Sequence, residues 1–345
     1  MKPTVVFTSR LPLDGPGGIE SAVRELIPRV ARLLPHWNVA SVRAFARQTA
    51  LNQIPFIGDL FAAVLIWWRS RGADVVVING AEYAWPRMLA AASRKRTICV
   101  WHGTRSGEIP ALVPTMRFTV RAYLWLEIWL QRWALSASKQ IAVSVTTAQE
   151  LERTYRVRRA VAVVTNGAPT YEHRRSARRR PRCIAWIGTT AYKKGLDIAI
   201  DCCRAVRRRY PDLRLIAIGI TLDRAEMPSW LECTGRVTHD EALQRLEECE
   251  LLLGSTRYEG CSIAIMEALA LGVPVVASPV IAWMIRDGGI GVPEYSSEAF
   301  AEALITLLAD DARISRMSEA ARRRARDFDW SETAKSYARD IEASF

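Results

Sequence analysis

Residues 257–278, RYEGCSIAIMEALALGVPVVAS, form an apolar run that keeps two acids eight positions apart, Glu259 and Glu267. The preceding ELLLG (250–254) reads as a buried strand and STRYEG as a loop at its carboxyl end. CSIAIMEALAL then reads as a helix stopped by Gly272, with Pro274 two residues on. Glu259 therefore falls among the loops where a parallel sheet binds its ligands. The free N–H groups near Cys261, Ser262 and Ile263 open a helix towards it, and such an end is suited to a diphosphate. Glu267 lies in the second turn, where a long side chain could still reach a ligand on the same side. Two carboxylates in one motif also suggest a general acid and base, and lone acids in helices most often face solvent or cap a terminus.

Short β-rich runs alternate with helical periods along the whole chain. TVVF (4–7) precedes a Gly-rich turn and then Ile19, Ala22, Val23, Leu26, Ile27, Val30, Leu33 and Leu34, the spacing of one helical face. DVVVI (74–78), TICVW (97–101), QIAVS (140–144) and AVAVV (160–164) continue the series, with Thr146 and Gln149 a predicted capping box after the fourth of the five. A polar, Arg-dense break at NGAPTYEHRRSARRRPR (166–182) predicts a domain boundary. Beyond it come CIAWIG (183–188), a helix over 195–209, LRLIAIG (213–219) and a helix opened by a Thr238–Glu241 capping box. ELLLG, the helix over 262–271 and VPVVAS (273–278) follow, then helices near 297–308, 312–327 and 332–344. This grammar predicts an α/β chain with two parallel sheets, each covered by helices on both faces.

At 345 residues and 50% hydrophobic, the chain can bury two ordinary cores. Of 48 basic residues six are Lys, leaving 42 Arg against 36 acids, for a net charge of +12. Arg makes planar contacts with phosphate and carboxylate, although a genome-wide or thermophilic bias towards Arg gives the same composition. Seven cysteines, odd in number and without a CxxC pair or a His at ligand spacing, predict reduced thiols and no zinc. A Cys233–Cys249 disulfide would suit a hyperthermophile. No secretory leader precedes the first strand, and LFAAVLIWW (60–68) is too short to span a bilayer, so the expected location is cytoplasmic or at the inner face of the membrane.

The 257–278 segment resembles the E-x7-E signature of the retaining, glycogen-synthase-like glycosyltransferases of family 4, whose fold is GT-B. Further segments resemble that family in the same order along the chain: GGIESAVREL (17–26), WHGTRS (101–106), VVTNGA (163–168), WIGTTAYKKGLDIAI (186–200) and FDW (328–330). The resemblance implies two facing Rossmann-like domains around an interdomain cleft. These would be an acceptor-binding domain over 1–168, an Arg-rich linker over 169–182, a nucleotide-sugar domain over 183–327, and a C-terminal helix (328–345) packing back towards the first domain. It implies that Glu259 binds hydroxyls of the transferred sugar, Glu267 holds the ribose, and Lys194, helped by Gly260, Cys261, Ser262 and Ile263, neutralises the leaving diphosphate. His102 would sit across the cleft near the sugar. Gly17, Gly18 and Gly188 would let backbone approach the ligand, and Gly219, Arg236 and Val237 would border the base. The family's Arg is Thr189 here, which leaves Lys194, Lys193 or Arg257 to supply charge. The aromatic usual after E-G is Cys261, and a P-E pair is replaced by VIAWMI (280–285). No cofactor and no metal are implied, the nucleotide-sugar being a co-substrate.

On the acceptor side, FTVRAYLWLEIWLQRWAL (118–135) spaces Trp125, Trp129 and Trp133 at i, i+4 and i+8. Such a stripe is most often core; its alternative is a membrane-interface or lipid-acceptor groove, to which Trp and flanking Arg are suited. The expected partners are a nucleoside-diphosphate sugar and a glycan or lipid-linked acceptor, with peripheral membrane contact and no nucleic acid. The competing readings are a GT-B sugar-nucleotide epimerase and a basic, non-enzymatic module for nucleic acid or membrane.

Overall fold

The computed structural model describes residues 2–13, 18–46, 57–80, 96–112, 139–157, 160–169, 171, 179–223 and 227–345, with eight positions between 118 and 129. The chain divides into two compact units, one comprising Met1–Gly167 and Trp330–Phe345, the other Ala168–Asp329.

The first unit is built on a parallel sheet of order β2-β1-β3-β4-β5-β6. Its strands are β1 (Thr4–Ser9), β2 (Asn38–Arg43), β3 (Val75–Asn79), β4 (Arg96–Trp101), β5 (Lys139–Ala142) and β6 (Ala162–Val163). The central β3, VVVIN, is buried throughout, as expected for a strand covered on both faces. Helix α1 (Gly18–Leu33) turns Ala22, Val23, Leu26 and Val30 inwards. Next come α2 (Ile57–Arg69), α3 (Arg105–Leu112) and α4 (Val145–Tyr155). The cap of α4 is Ser144, whose side chain accepts from the Thr147 amide, and not the expected Thr146–Gln149 box. Ser144 directly follows the strand and adopts the extended backbone that an N-cap needs, whereas Thr146 is already helical.

The second unit carries a parallel sheet of order β12-β11-β10-β7-β8-β9. Its strands are β7 (Arg180–Ile187), β8 (Arg214–Ile218), β9 (Leu231–Cys233), β10 (Cys249–Gly254), β11 (Val275–Ala277) and β12 (Gly289–Gly291). Between and after them run α5 (Leu196–Val206), α6 (His239–Glu248), α7 (Ile263–Ala270), α8 (Ala282–Ile285), α9 (Ser297–Leu308) and α10 (Asp311–Ala325). Ile184, Trp186, Leu215, Leu251 and Leu253 of the sheet pack with Cys202, Cys203 and Val206 of α5 and with Phe300, Leu304 and Leu307 of α9. A fully buried side chain such as Phe300 contributes roughly 2–3 kcal/mol. Strand β7 begins at Arg180, so 180–182, expected in the linker, belong to the sheet. The cysteines form no disulfide, and Cys249 lies with its sulfur 3.4 Å from that of Cys183 on the neighbouring strand, not against Cys233.

The last helix, α11 (Trp330–Ser344), belongs to the first unit and packs along α1. Tyr337 stands 6.3 Å from Phe7 of β1, Lys139 pairs with Asp340, and Thr333 donates to the Thr165 carbonyl at 2.9 Å. No described helix is long and apolar enough to cross a membrane.

Candidate active site

In the second unit the turns after β7 and β10 meet at the carboxyl edge of neighbouring strands, and they carry Gly188, Thr189, Lys194, Glu259, Gly260, Cys261 and Ser262 among the expected residues. Lys194 forms an ion pair with Glu259, both side chains only partly exposed. A cavity of about 20 Å³, the size of a water molecule, is lined by Lys194, Glu259, Ser262 and Trp186. Gly188 is required there: a Cβ would come within 2.7 Å of the Trp186 ring and 2.9 Å of the Lys194 side chain. Thr189, next along, is exposed and offers a hydroxyl but no charge.

Helix α7 opens beside this pair. Ser262 occupies its N-cap without a side-chain hydrogen bond, and the first helical N–H groups have no intrahelical acceptor. Cys261 and Ser262 are buried and Ile263 half-buried. At the other end Gly272, at φ +70°, lets the helix close: Gly272 donates to the Leu269 carbonyl at 2.9 Å and Val273 to Ala268 at 2.7 Å. Glu267 is buried in the second turn, with a carboxylate oxygen 3.5 Å from His239 Nε2 at the start of α6. Helix α6 is fixed by the expected capping box of Thr238 and Glu241. The loop just before it holds Arg236, exposed, and Val237, half-buried; the Gly219 amide donates to Thr234 Oγ1 at 3.1 Å.

Arg257, the other expected source of charge, is engaged within the protein. Its guanidinium makes a bidentate pair with Asp197 at 2.8 and 2.6 Å and lies 3.8 Å over the Tyr192 ring. Sequence reading missed this engagement because the partners are 60 residues apart.

The remaining expected residues are in the first unit. Gly17 lies outside the described residues, and Gly18 is exposed at the start of α1. His102 follows β4 directly, its Nε2 at 3.4 Å from Asn79 Oδ1. Buried Asn79 donates its Nδ2 to the Thr8 carbonyl at 3.2 Å, so its oxygen is the atom presented to His102 and the ring nitrogen donates. Burial lowers the pKa of His102 to about 4, which keeps the imidazole neutral at physiological pH. The two described tryptophans of the stripe are not core: Trp125 and Trp129 are 60% and 63% exposed, while Ile128 is buried and Trp133 lies outside the described residues.

Residues 181–310 match the family model described as Glycosyl transferases group 1, and residues 16–172 match Glycosyltransferase Family 4. A phosphatidyl-myo-inositol mannosyltransferase of Mycobacterium leprae is 30% identical over 167 residues, 44% of this chain and 43% of the relative. The aligned part thus spans less than half of that protein. Among solved structures, sucrose-phosphate synthase from Thermosynechococcus elongatus superposes with a TM-score of 0.78 at 15% identity, covering 99% of this chain and 100% of the other. Anabaena HepE in complex with UDP and glucose gives 0.71 at 15% identity, covering 98% and 99%. With both sheets built in that pattern and family models matching either side of residue 180, the chain belongs to the family 4 glycosyltransferases of GT-B fold.

Proposed function

We propose that the chain transfers a sugar, with retention of configuration and without a metal, from a nucleoside-diphosphate donor to a glycan or lipid-linked acceptor. The observation that carries this reading is the convergence of Lys194, Glu259 and the open N-terminus of α7 on one strand edge, with buried Glu267 one turn into the same helix. In the proposed reaction the bond from the anomeric carbon to the donor phosphate oxygen breaks, and an acceptor oxygen bonds to the same face. The acceptor proton passes to the departing diphosphate. Negative charge grows on that diphosphate, and a fixed ammonium beside helix N–H groups stabilises it without reorganisation. Lys194 would leave Glu259 for the phosphate, freeing the carboxylate to accept sugar hydroxyls, while Glu267 accepts the ribose hydroxyls. His102, being neutral, would offer a hydrogen bond rather than a charge. HepE, similar in fold, is seen with UDP and glucose, which supports a nucleotide-sugar donor, and matches to two glycosyltransferase models favour transfer over epimerisation.

Acceptor contact at an anionic membrane surface is the second part of the proposal. It rests on exposed Trp125, Trp129 and Phe118 in the first unit and on the net charge of +12. The test of transfer is turnover of UDP-, GDP- and ADP-sugars by the wild type and by Glu259→Ala. The variant is expected to lose about 100-fold or more in turnover while melting like the wild type. Undiminished turnover would overturn the site assignment.

A further inference from the structure

Four successive carbonyls around Lys194 are each held by a group from outside the turn. The Tyr192 oxygen accepts from Arg257 Nη1 at 2.5 Å, and the Lys193 oxygen accepts from the Arg257 amide at 2.9 Å and from Thr256 Oγ1 at 3.2 Å. The Lys194 oxygen accepts from Trp186 Nε1 at 3.0 Å and Ser255 Oγ at 3.3 Å, and the Gly195 oxygen from Ser255 Oγ at 2.8 Å. The two loops are in such close contact that a Cβ on Gly195, at φ +70°, would lie 1.9 Å from the Ser255 carbonyl oxygen. Tyr295 closes the far side by donating to that same oxygen at 2.7 Å.

Arg257 is the charged member of this brace. Its Nη1 and Nη2 reach both oxygens of Asp197, in the first turn of α5, while its plane stacks on Tyr192 at 3.8 Å and lies 5.1 Å from the Tyr295 ring centre. One side chain thus ties the start of the lysine turn, the helix that follows it and the loop that carries Glu259. A lysine could supply the charge but neither the fork nor the stacked plane.

We infer that Arg257 is a positioning residue: it fixes the Tyr192–Lys194 turn against the loop after β10 and so sets where the Lys194 ammonium meets the donor diphosphate. This rests on the proposed donor role of Lys194. Its alternative is direct contact of Arg257 with phosphate, which the engagement of both terminal nitrogens argues against.

The test is a double-mutant cycle of Arg257→Lys and Lys194→Ala, reading kcat and donor KM with the best substrate among UDP-, GDP- and ADP-sugars. Arg257→Lys alone is expected to lower kcat/KM by about 10- to 100-fold, the effect of a misplacement of order 1 Å. In the Lys194→Ala background the same change is expected to cost less than about threefold, because the group it positions is gone. Additive losses, or wild-type kinetics for Arg257→Lys, would overturn the positioning role. Asp197→Asn keeps the arginine and removes its charged anchor. It serves if Arg257→Lys does not fold, with a predicted loss of about tenfold. Unchanged or tighter donor use by Asp197→Asn would indicate direct phosphate contact instead and also overturn the inference. Wild-type inactivity on the whole panel would remove the functional reading itself and this inference with it.

Discussion

His102 shows how one residue's surroundings set its chemistry. Burial depresses its pKa to about 4 and Asn79 Oδ1 accepts a hydrogen bond from Nε2–H, leaving Nδ1 as an acceptor. The unfolded chain binds a proton near pH 6.5, the folded one only near 4. The contribution to stability is therefore complete above about 6.5 and is lost as pH falls from there towards 4. Urea unfolding at pH 7 and pH 5 should show the wild type losing up to about 2 kcal/mol more than His102→Gln across that interval. Equal losses would mean that the ring titrates normally. Glu259 and Lys194 differ from this case in that their partner is each other. In the proposed reaction Lys194 exchanges Glu259 for phosphate, and the two carboxylates, Glu259 and Glu267, act as two grips on one donor and not as a general acid and base.

At the scale of elements, the strands with dense aliphatic runs were legible in the sequence to within a few residues. The misses were β2, β9 and β12. NVASVR is mostly exposed or half-buried, and LEC and GIG are three-residue edge strands, so none carries the buried apolar run that marks an inner strand. The tryptophan stripe failed for the opposite reason: its spacing is helical, but periodicity does not say which face meets the core. Of the site, the acids, the lysine and the opening of α7 could be read from motif and spacing. The brace on residues 192–195 could not, since it joins Trp186, Asp197, Ser255, Thr256, Arg257 and Tyr295 across long separations. Its stiffness yields a prediction: Gly195→Ala would force an L-residue to φ +70° with its Cβ against the Ser255 carbonyl. A loss of at least about 2 kcal/mol is expected in chemical denaturation, with donor turnover reduced further than the folded fraction explains. Wild-type stability would show that the turn relaxes freely.

For the molecule as a whole, two parallel α/β units divide the labour proposed here. The second holds the donor residues, while the first presents exposed aromatic residues, including Phe61 and Trp68 on α2 as well as Trp125 and Trp129. Trp125→Ser with Trp129→Ser is predicted to weaken binding to phosphatidylglycerol vesicles by about 100-fold or more, as sedimentation would measure, because each buried aromatic is worth about 1.5–3 kcal/mol. Unchanged binding would exclude these residues from the contact. The central claim, that the edge formed by Lys194, Glu259, Glu267 and α7 is a nucleotide-sugar site, is tested most directly by titration calorimetry of UDP-, GDP- and ADP-sugars. One nucleotide class should bind the wild type, with affinity reduced about tenfold or more by Lys194→Ala and by Glu267→Ala separately. Binding of equal strength in both variants, or by no member of the panel to the wild type, would contradict it.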